Sequence, residues 1–200
     1  MIEQKYCHTK GCYNLCATNE EHCFLHLQNQ NDYYKKSIEI VKTKDRIEEY
    51  NFSFLSLKNI DFRYKQIFGC TFSNSIIESC QFSGVYFRFC FFDNSIIKNS
   101  HFEQINSKYL VFGNATLDNC QFNGSDILLS NFIGIKAKNL NFNDSDFFFS
   151  RFNHANLDEV TFQDCNLKKV FFIGSHRKDV NFKASNVEEA YFDETRSLNA

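Results

Sequence analysis

The sequence predicts an all-β solenoid, and three observations carry that prediction. Phenylalanine occupies every tenth position from Phe52 to Phe192, fifteen times out of fifteen. Halfway between lies a second series, Leu57, Ile67, Ile77, Phe87, Ile97 and onward, in which eleven of fifteen residues are large and apolar. Two residues before these central positions sit small or moderately apolar residues, Cys70, Ser75, Cys80, Val85, Cys90 and so on to Ala190. A fixed period of this kind is read before any local signal.

A period of five excludes the ordinary elements. In a helix, five residues turn the side chain by about 140°, so successive members would scatter around the axis. In a straight strand an odd period alternates faces. The pattern works if the chain turns a corner every five residues and the central residues all point to one axis. The five repeat cysteines, Cys70, Cys80, Cys90, Cys120 and Cys165, all fall in the second inward series. There they read as small buried hydrophobes and free thiols. With a coil of twenty residues, the Phe52, Phe72, Phe92 ladder faces the Phe62, Phe82, Phe102 ladder across the core. About seven coils at the ~4.8 Å strand spacing make a rod roughly 35 Å long.

The repeat resembles the pentapeptide-repeat family, whose unit is written A(D/N)LXX. "SDFFF", "ANLDE" and "CNLKK" match it, as does "SNVEE" with Val in the central place. The resemblance implies a right-handed quadrilateral β-helix over residues 47–198. The pattern has defects. Ser107, Ala137, Arg177 and Ser197 occupy central places, and Lys65 sits in the small series. A charged group does not stay buried unpaired, so a local bulge or widened corner is expected near Arg177, or fraying toward the carboxyl end.

Ahead of the repeat, residues 30–46 predict a linking helix that covers the open first coil. Ile38 and Val41 share a helical face, and Asp32 is a candidate cap at its start. Terminal coils of a solenoid expose rings and unpaired strand groups, so a cap is needed. The carboxyl end, "ETRSLNA", is too short and polar to cap well. End-to-end homodimerisation through the C-terminal coil is therefore an expectation.

Residues 1–29 read as a zinc-binding module. "CHTKGCYNLCATNEEHCFLH" spaces its ligand types as C-x4-C-x10-C-x2-H with one extra cysteine inside. Thiolates and imidazole at such spacing suit tetrahedral zinc, and a segment this short cannot build a core without a staple. The predicted ligands are Cys7, Cys12, Cys23 and His26, with Cys16 a rival that would replace His26. His8 and His22 read as solvated bystanders. The alternatives are a redox-sensitive thiol cluster or a disordered tail. The segment is similar to small C-x4-C…C-x2-H fingers that precede other domains, in which a Gly before the second Cys and an apolar pair before the His recur. Here these are Gly11 and Phe24-Leu25. Four protein ligands leave no open position, so the Zn2+ would be structural.

Charge and motif content bound the function. Residues 1–49 carry seven Lys/Arg against eight Asp/Glu, and residues 50–200 carry fifteen against sixteen. That balance argues against a nucleic-acid groove or a membrane surface. There is no P-loop, no dinucleotide fingerprint, no nucleophile elbow and no H-E-x-x-H. His101, His154 and His176 lie outside the inward series and read as surface residues. The expectation is a non-enzymatic scaffold without a small-molecule substrate, presenting its rod to a protein partner. The family resemblance implies an alternative, a DNA mimic that binds gyrase or topoisomerase, but mimicry needs a strongly acidic rod. The start, "MIEQKYCHTK", has no apolar signal region and predicts a cytoplasmic protein.

Overall fold

The computed structural model describes residues 5–193; the end of the predicted repeat, Ser197 included, lies outside them, as does part of the surface expected to dimerise. A hairpin-like segment with a short 3-10 turn (Phe24–His26) leads into one helix, α1 (Gln30–Thr43), and then a parallel β-solenoid of about seven turns.

Each turn has four faces. On one, five parallel strands stack in register, Arg46–Glu48, Gln66–Phe68, Tyr86–Arg88, Asn106–Lys108 and Asp126–Leu128. Opposite them runs a seven-stranded sheet from Ser56–Lys58 to His176–Lys178. The two remaining faces are ladders of single bridges, such as Asn51↔Thr71↔Phe91 and Asp61↔Gln81↔His101. Partners are always twenty residues apart, so each coil satisfies the backbone of the next.

Both phenylalanine ladders fill the bore. Phe72 and Phe92 stack at 4.6 Å with their planes 1° apart, while Phe72 and Phe82 meet edge to face at 6.1 Å. Stacked within a ladder and T-shaped across it, the rings use both favourable aromatic geometries, each worth about 0.5–1.5 kcal/mol beyond burial. Among the described residues, no buried side-chain nitrogen or oxygen lacks a hydrogen-bond partner.

The corner is made by backbone. Every fifth residue from Glu49 to Ala184 has positive φ. Asn, Gly and Asp fill many of these places, as the left-handed region favours. The Asp/Asn before a central residue also has a local task. The carboxamide or carboxylate accepts the amide two residues on, as Asn131 does from Ile133 at 2.8 Å and Asp146 from Phe148 at 2.8 Å.

Two local expectations need correction. No bulge forms at Arg177: it pairs in register with Leu157, and its half-buried guanidinium lies 4.8 Å over the Phe192 ring. The long side chain lies over the last ring of the phenylalanine ladder, and its Nη1 donates to Ser175 Oγ at 3.3 Å, without moving the backbone. Helix α1 is capped by Asn29, whose side chain accepts from the Asp32 amide, and Asp32 sits inside the first turn. Lys65 is accommodated where the helix ends, its Nζ donating to the Lys44 carbonyl at 2.9 Å.

The amino-terminal cap is stitched onto the first coil. Tyr33, Ser37 and Val41 form the buried face of α1. Tyr33 stacks on Tyr50 at 5.9 Å, and Tyr50 lies 4.6 Å from Phe52, so the aromatic column continues into the helix. Tyr33 Oη donates to the Asn51 carbonyl at 2.6 Å and accepts from the Thr18 amide at 2.9 Å. Burial pushes its pKa up. Asn51 completes the joint, its amide donating to Thr18 Oγ1 and its side chain to the Cys16 carbonyl, both at 2.8 Å.

Candidate metal centre

The cluster is assembled by two short pieces of backbone. Tyr6 and Leu15 form an antiparallel bridge, flanked by bonds from the Cys7 amide to the Asn14 carbonyl and from the Cys16 amide to the Lys5 carbonyl. This hairpin folds Cys12 back toward Cys7. Gly11 turns it with φ 79°, and the Cys12 amide closes on the Thr9 carbonyl at 3.0 Å. The second piece is the 3-10 turn, where the His26 amide bonds to the Cys23 carbonyl at 2.9 Å. One turn of that helix brings positions 23 and 26 to the same side.

The ligand atoms of Cys7, Cys12, Cys23 and His26 all lie within 4.8 Å of one another. His26 Nδ1 is 3.4 Å from both Cys7 Sγ and Cys23 Sγ, and Cys12 Sγ is 3.8 Å from Cys23 Sγ. Zinc–sulfur bonds of about 2.3 Å and zinc–nitrogen bonds of about 2.0–2.1 Å, set tetrahedrally, separate sulfurs by ~3.8 Å and sulfur from nitrogen by ~3.6 Å. These contacts are the edges of such a tetrahedron, so the donor set fits the ion. Cys7 and Cys23 are buried, Cys12 is half-buried and His26 is exposed.

Electrostatics point the same way. Burial acts to raise the Cys7 thiol, but hydrogen bonds from the Cys23 and Thr9 backbones and from the Thr9 and His22 side chains outweigh it and bring the group down to about 4. Burial raises Cys23, and the adjoining Cys12 sulfur adds to that. One thiolate is thus welcome without a cation and a second is not, the arrangement expected where negative ligands crowd around a positive ion.

Cys16 stands outside this group. Its backbone is committed to the hairpin and to Asn51, and burial, followed by the charge of Cys7, raises its thiol. His22 is not a bystander. Its Nδ1 lies 3.2 Å from Thr9 Oγ1 and 3.8 Å from Cys7 Sγ. Asn14, which spacing alone does not single out, donates from Nδ2 to Cys23 Sγ at 3.8 Å. Such outer contacts hold ligands in orientation. His8 is exposed, with its Nδ1 3.9 Å from Glu21.

The remaining cysteines serve the rod. Each repeat thiol donates to the carbonyl of a residue twenty-three positions earlier, as Cys90 does to Ile67 at 3.4 Å. All nine cysteines are free. No helix among the described residues is long and apolar enough to cross a membrane.

Comparison with known proteins adds a family. Residues 115–192 match the family model described as a pentapeptide repeat region. No curated protein matches the chain. Among solved structures, QnrB1, a plasmid-mediated fluoroquinolone resistance protein, aligns at 13% identity over 74% of this chain and 84% of its own, with a TM-score of 0.39. HetL, a pentapeptide repeat protein from the cyanobacterium Nostoc, aligns at 11% identity over 76% and 90%, with a TM-score of 0.28. Rfr23, from the cyanobacterium Cyanothece, aligns at 10% identity over 80% and 96%, with a TM-score of 0.24.

Proposed function

We propose that this chain, whose repeat belongs to the pentapeptide-repeat family, is a non-enzymatic scaffold: a rigid rod that presents its lateral faces to a protein partner and is closed at one end by a structural zinc module. The observation that carries the reading is the joint between module and rod. Asn51, Tyr33 and Thr18 tie the ligand-bearing hairpin to the first coil, so the module's position is set by the fold.

Within the module, Cys7, Cys12, Cys23 and His26 would hold Zn2+. When bound, the ion supplies folding free energy to a segment with no core of its own. Four protein donors leave no site for a substrate. Asn14 and His22 orient the sulfurs, and Tyr33 passes the module's order to the rod. The nine free thiols suit a reducing compartment, hence the cytoplasm. The near-neutral rod does not favour the DNA-mimic alternative.

The test is affinity capture from the native host, with wild-type protein and a Cys12→Ser, Cys23→Ser variant as baits, plus elemental analysis of both. The reading expects about one zinc per wild-type chain and a protein partner recovered reproducibly. Stoichiometric metal bound elsewhere, or no partner above a control bait, would overturn it.

A further inference from the structure

The four corners of the rod are not equivalent. On one edge the left-handed positions are Asn59, Ser79, Asn99, Asn119, Asn139, Glu159 and Asp179. Beside them Lys58, Glu78, Lys98, Asp118, Lys138, Asp158 and Lys178 alternate in sign, with Lys58–Glu78 at 3.1 Å and Lys178–Asp158 at 2.9 Å. That edge satisfies its backbone and neutralises its own charge.

The diagonally opposite edge does neither. Its left-handed positions include Phe89, Tyr109, Leu129 and Phe149, with φ between 54° and 61°, and all four are exposed. A bulky side chain in that region is an outlier. The other edge demonstrates that Asn serves the same turn, so the fold does not require these residues. Strain together with exposed apolar surface marks a place where side-chain identity is set by something other than the backbone.

Charge around the stripe is mainly basic. In the columns directly flanking it over these coils, and at the next position of the same corner, stand Arg88, Lys108, Arg151, Lys168 and Lys169, while Asp126 and Asp146 lie on the adjoining strand face. Lys168 is paired with Glu189 at 3.0 Å and Arg88 lies on the Tyr86 ring. Lys108 and Arg151 form no ion pair among the described residues. At its amino-terminal end the stripe opens, past Gly69, Thr71 and Phe91, into a groove of about 890 Å3 beside the metal module.

Resting on the scaffold reading, we propose that this edge is the docking surface, and that its occupant is an acidic amphipathic helix of a partner protein. The four corner steps from position 89 to 169 span about 19 Å at one coil each. A helix of about 13 residues covers that length, and its turns repeat every ~5.4 Å, near the coil spacing. An extended peptide repeats each face at ~6.6–6.8 Å and drifts out of step. It also finds no free ladder, because the backbone bonds of each coil run along the rod to the next. A second copy of this chain would set cations against cations. Single-stranded nucleic acid needs open ring faces, but Phe89 and Tyr109 already stack on each other at 4.7 Å, and Leu129 has no ring.

The test uses a fluorescein-labelled synthetic peptide of about 14 residues with Leu and Phe at helical spacing and Glu elsewhere. Controls are a scrambled peptide of the same composition, a Lys-for-Glu counterpart, an oligothymidylate, and phosphatidylserine-containing vesicles. Binding is read by anisotropy, or by co-sedimentation for the vesicles. The full chain is compared with a variant carrying Phe89→Asn, Tyr109→Asn, Leu129→Asn and Phe149→Asn. The expected result is preference for the acidic amphipathic peptide, weakened at least about tenfold in the variant, while the variant's melting temperature is unchanged or higher because Asn suits the turn. Equal binding by the variant, a lower melting temperature, or preference for any control ligand would overturn the proposal. If host capture finds a partner that the variant retains, the scaffold role stands and this edge is not its surface. If the peptide binds as expected and capture finds no partner, the edge survives and the scaffold role falls.

Discussion

The five buried thiols of the rod should make its stability fall steeply in alkali. Burial raises all of them: Cys80 and Cys165 to about 11, Cys90 and Cys120 to about 12, and Cys70 in the same direction. In the unfolded chain they return to an ordinary value of 9.0. The folded pKa is the higher one, so the stabilisation is complete below pH 9 and is lost as pH rises toward the folded values. At pH 10 each unfolded thiol gains about 1.4 kcal/mol from deprotonation that its folded counterpart cannot take, or roughly 7 kcal/mol for five. That is comparable with the whole stability of an ordinary domain. Guanidinium titrations followed by circular dichroism, in a phosphine reductant, at several pH values from 7.5 to 10 measure the loss. The matched control replaces the five with serine, which already occupies equivalent inward places at Ser75, Ser95, Ser100, Ser125 and Ser130. Lysines, tyrosines and the amino-terminal cysteines titrate in both proteins and cancel in the difference. The wild type should lose about 7 kcal/mol more than the control by pH 10. Parallel pH profiles would refute the claim that burial of these thiols controls their ionisation.

Further outcomes follow from the packing and from the Cys/His cluster. Phe112→Ala removes a fully buried ring stacked between Phe92 and Phe132 and should cost about 3–5 kcal/mol by chemical denaturation. The half-buried Phe192, changed in the same way, should cost clearly less. Tyr33→Phe leaves the Asn51 carbonyl and the Thr18 amide without their partner and should cost about 1–3 kcal/mol, with faster amide exchange at both residues. Stripping metal with a chelator should lower the melting temperature and unlock amide exchange in residues 5–26 first. Metal should also leave as pH falls, because protons compete for the thiolates. Cys12→Ser should lose the metal and Cys16→Ser should keep it, as read by elemental analysis.

Sequence and structure agree where one physical cause acts at one place. Inward positions had to be apolar because the bore admits no water, and each coil repeats that demand, so Phe52 to Phe192 declare themselves. The grouping of Cys7, Cys12, Cys23 and His26 was nearly as legible, because thiolate and imidazole at that spacing suit one donor cluster. The sequence already preferred His26 to its rival Cys16; the hairpin, which turns the Cys16 backbone toward Asn51, and the 3-10 turn, which brings His26 beside Cys23, give the physical reason. Asn29 and Asp32 are both good capping residues three apart, so composition could not rank them; the turn resolved it.

The illegible features are those with two causes in competition. At Arg177 a buried position met a charged side chain, and sequence logic bent the backbone. The observed solution was cheaper: a flexible side chain moved and the ladder kept its register with Leu157. At the corners, the left-handed backbone asks for Gly, Asn or Asp. Where it receives Phe89, Tyr109, Leu129 and Phe149, the turn signal vanishes although the turn remains. A bulky residue in that region costs about 1–3 kcal/mol, and three neighbouring edges use mostly small or polar residues instead. A repeat that departs from its own rule on one edge, over consecutive coils, is the trace that the proposed docking surface would leave. The departure was invisible as long as the sequence was read for what points inward. It emerges only when the corners are sorted by the edge they occupy, and that sorting requires the twenty-residue coil to be known.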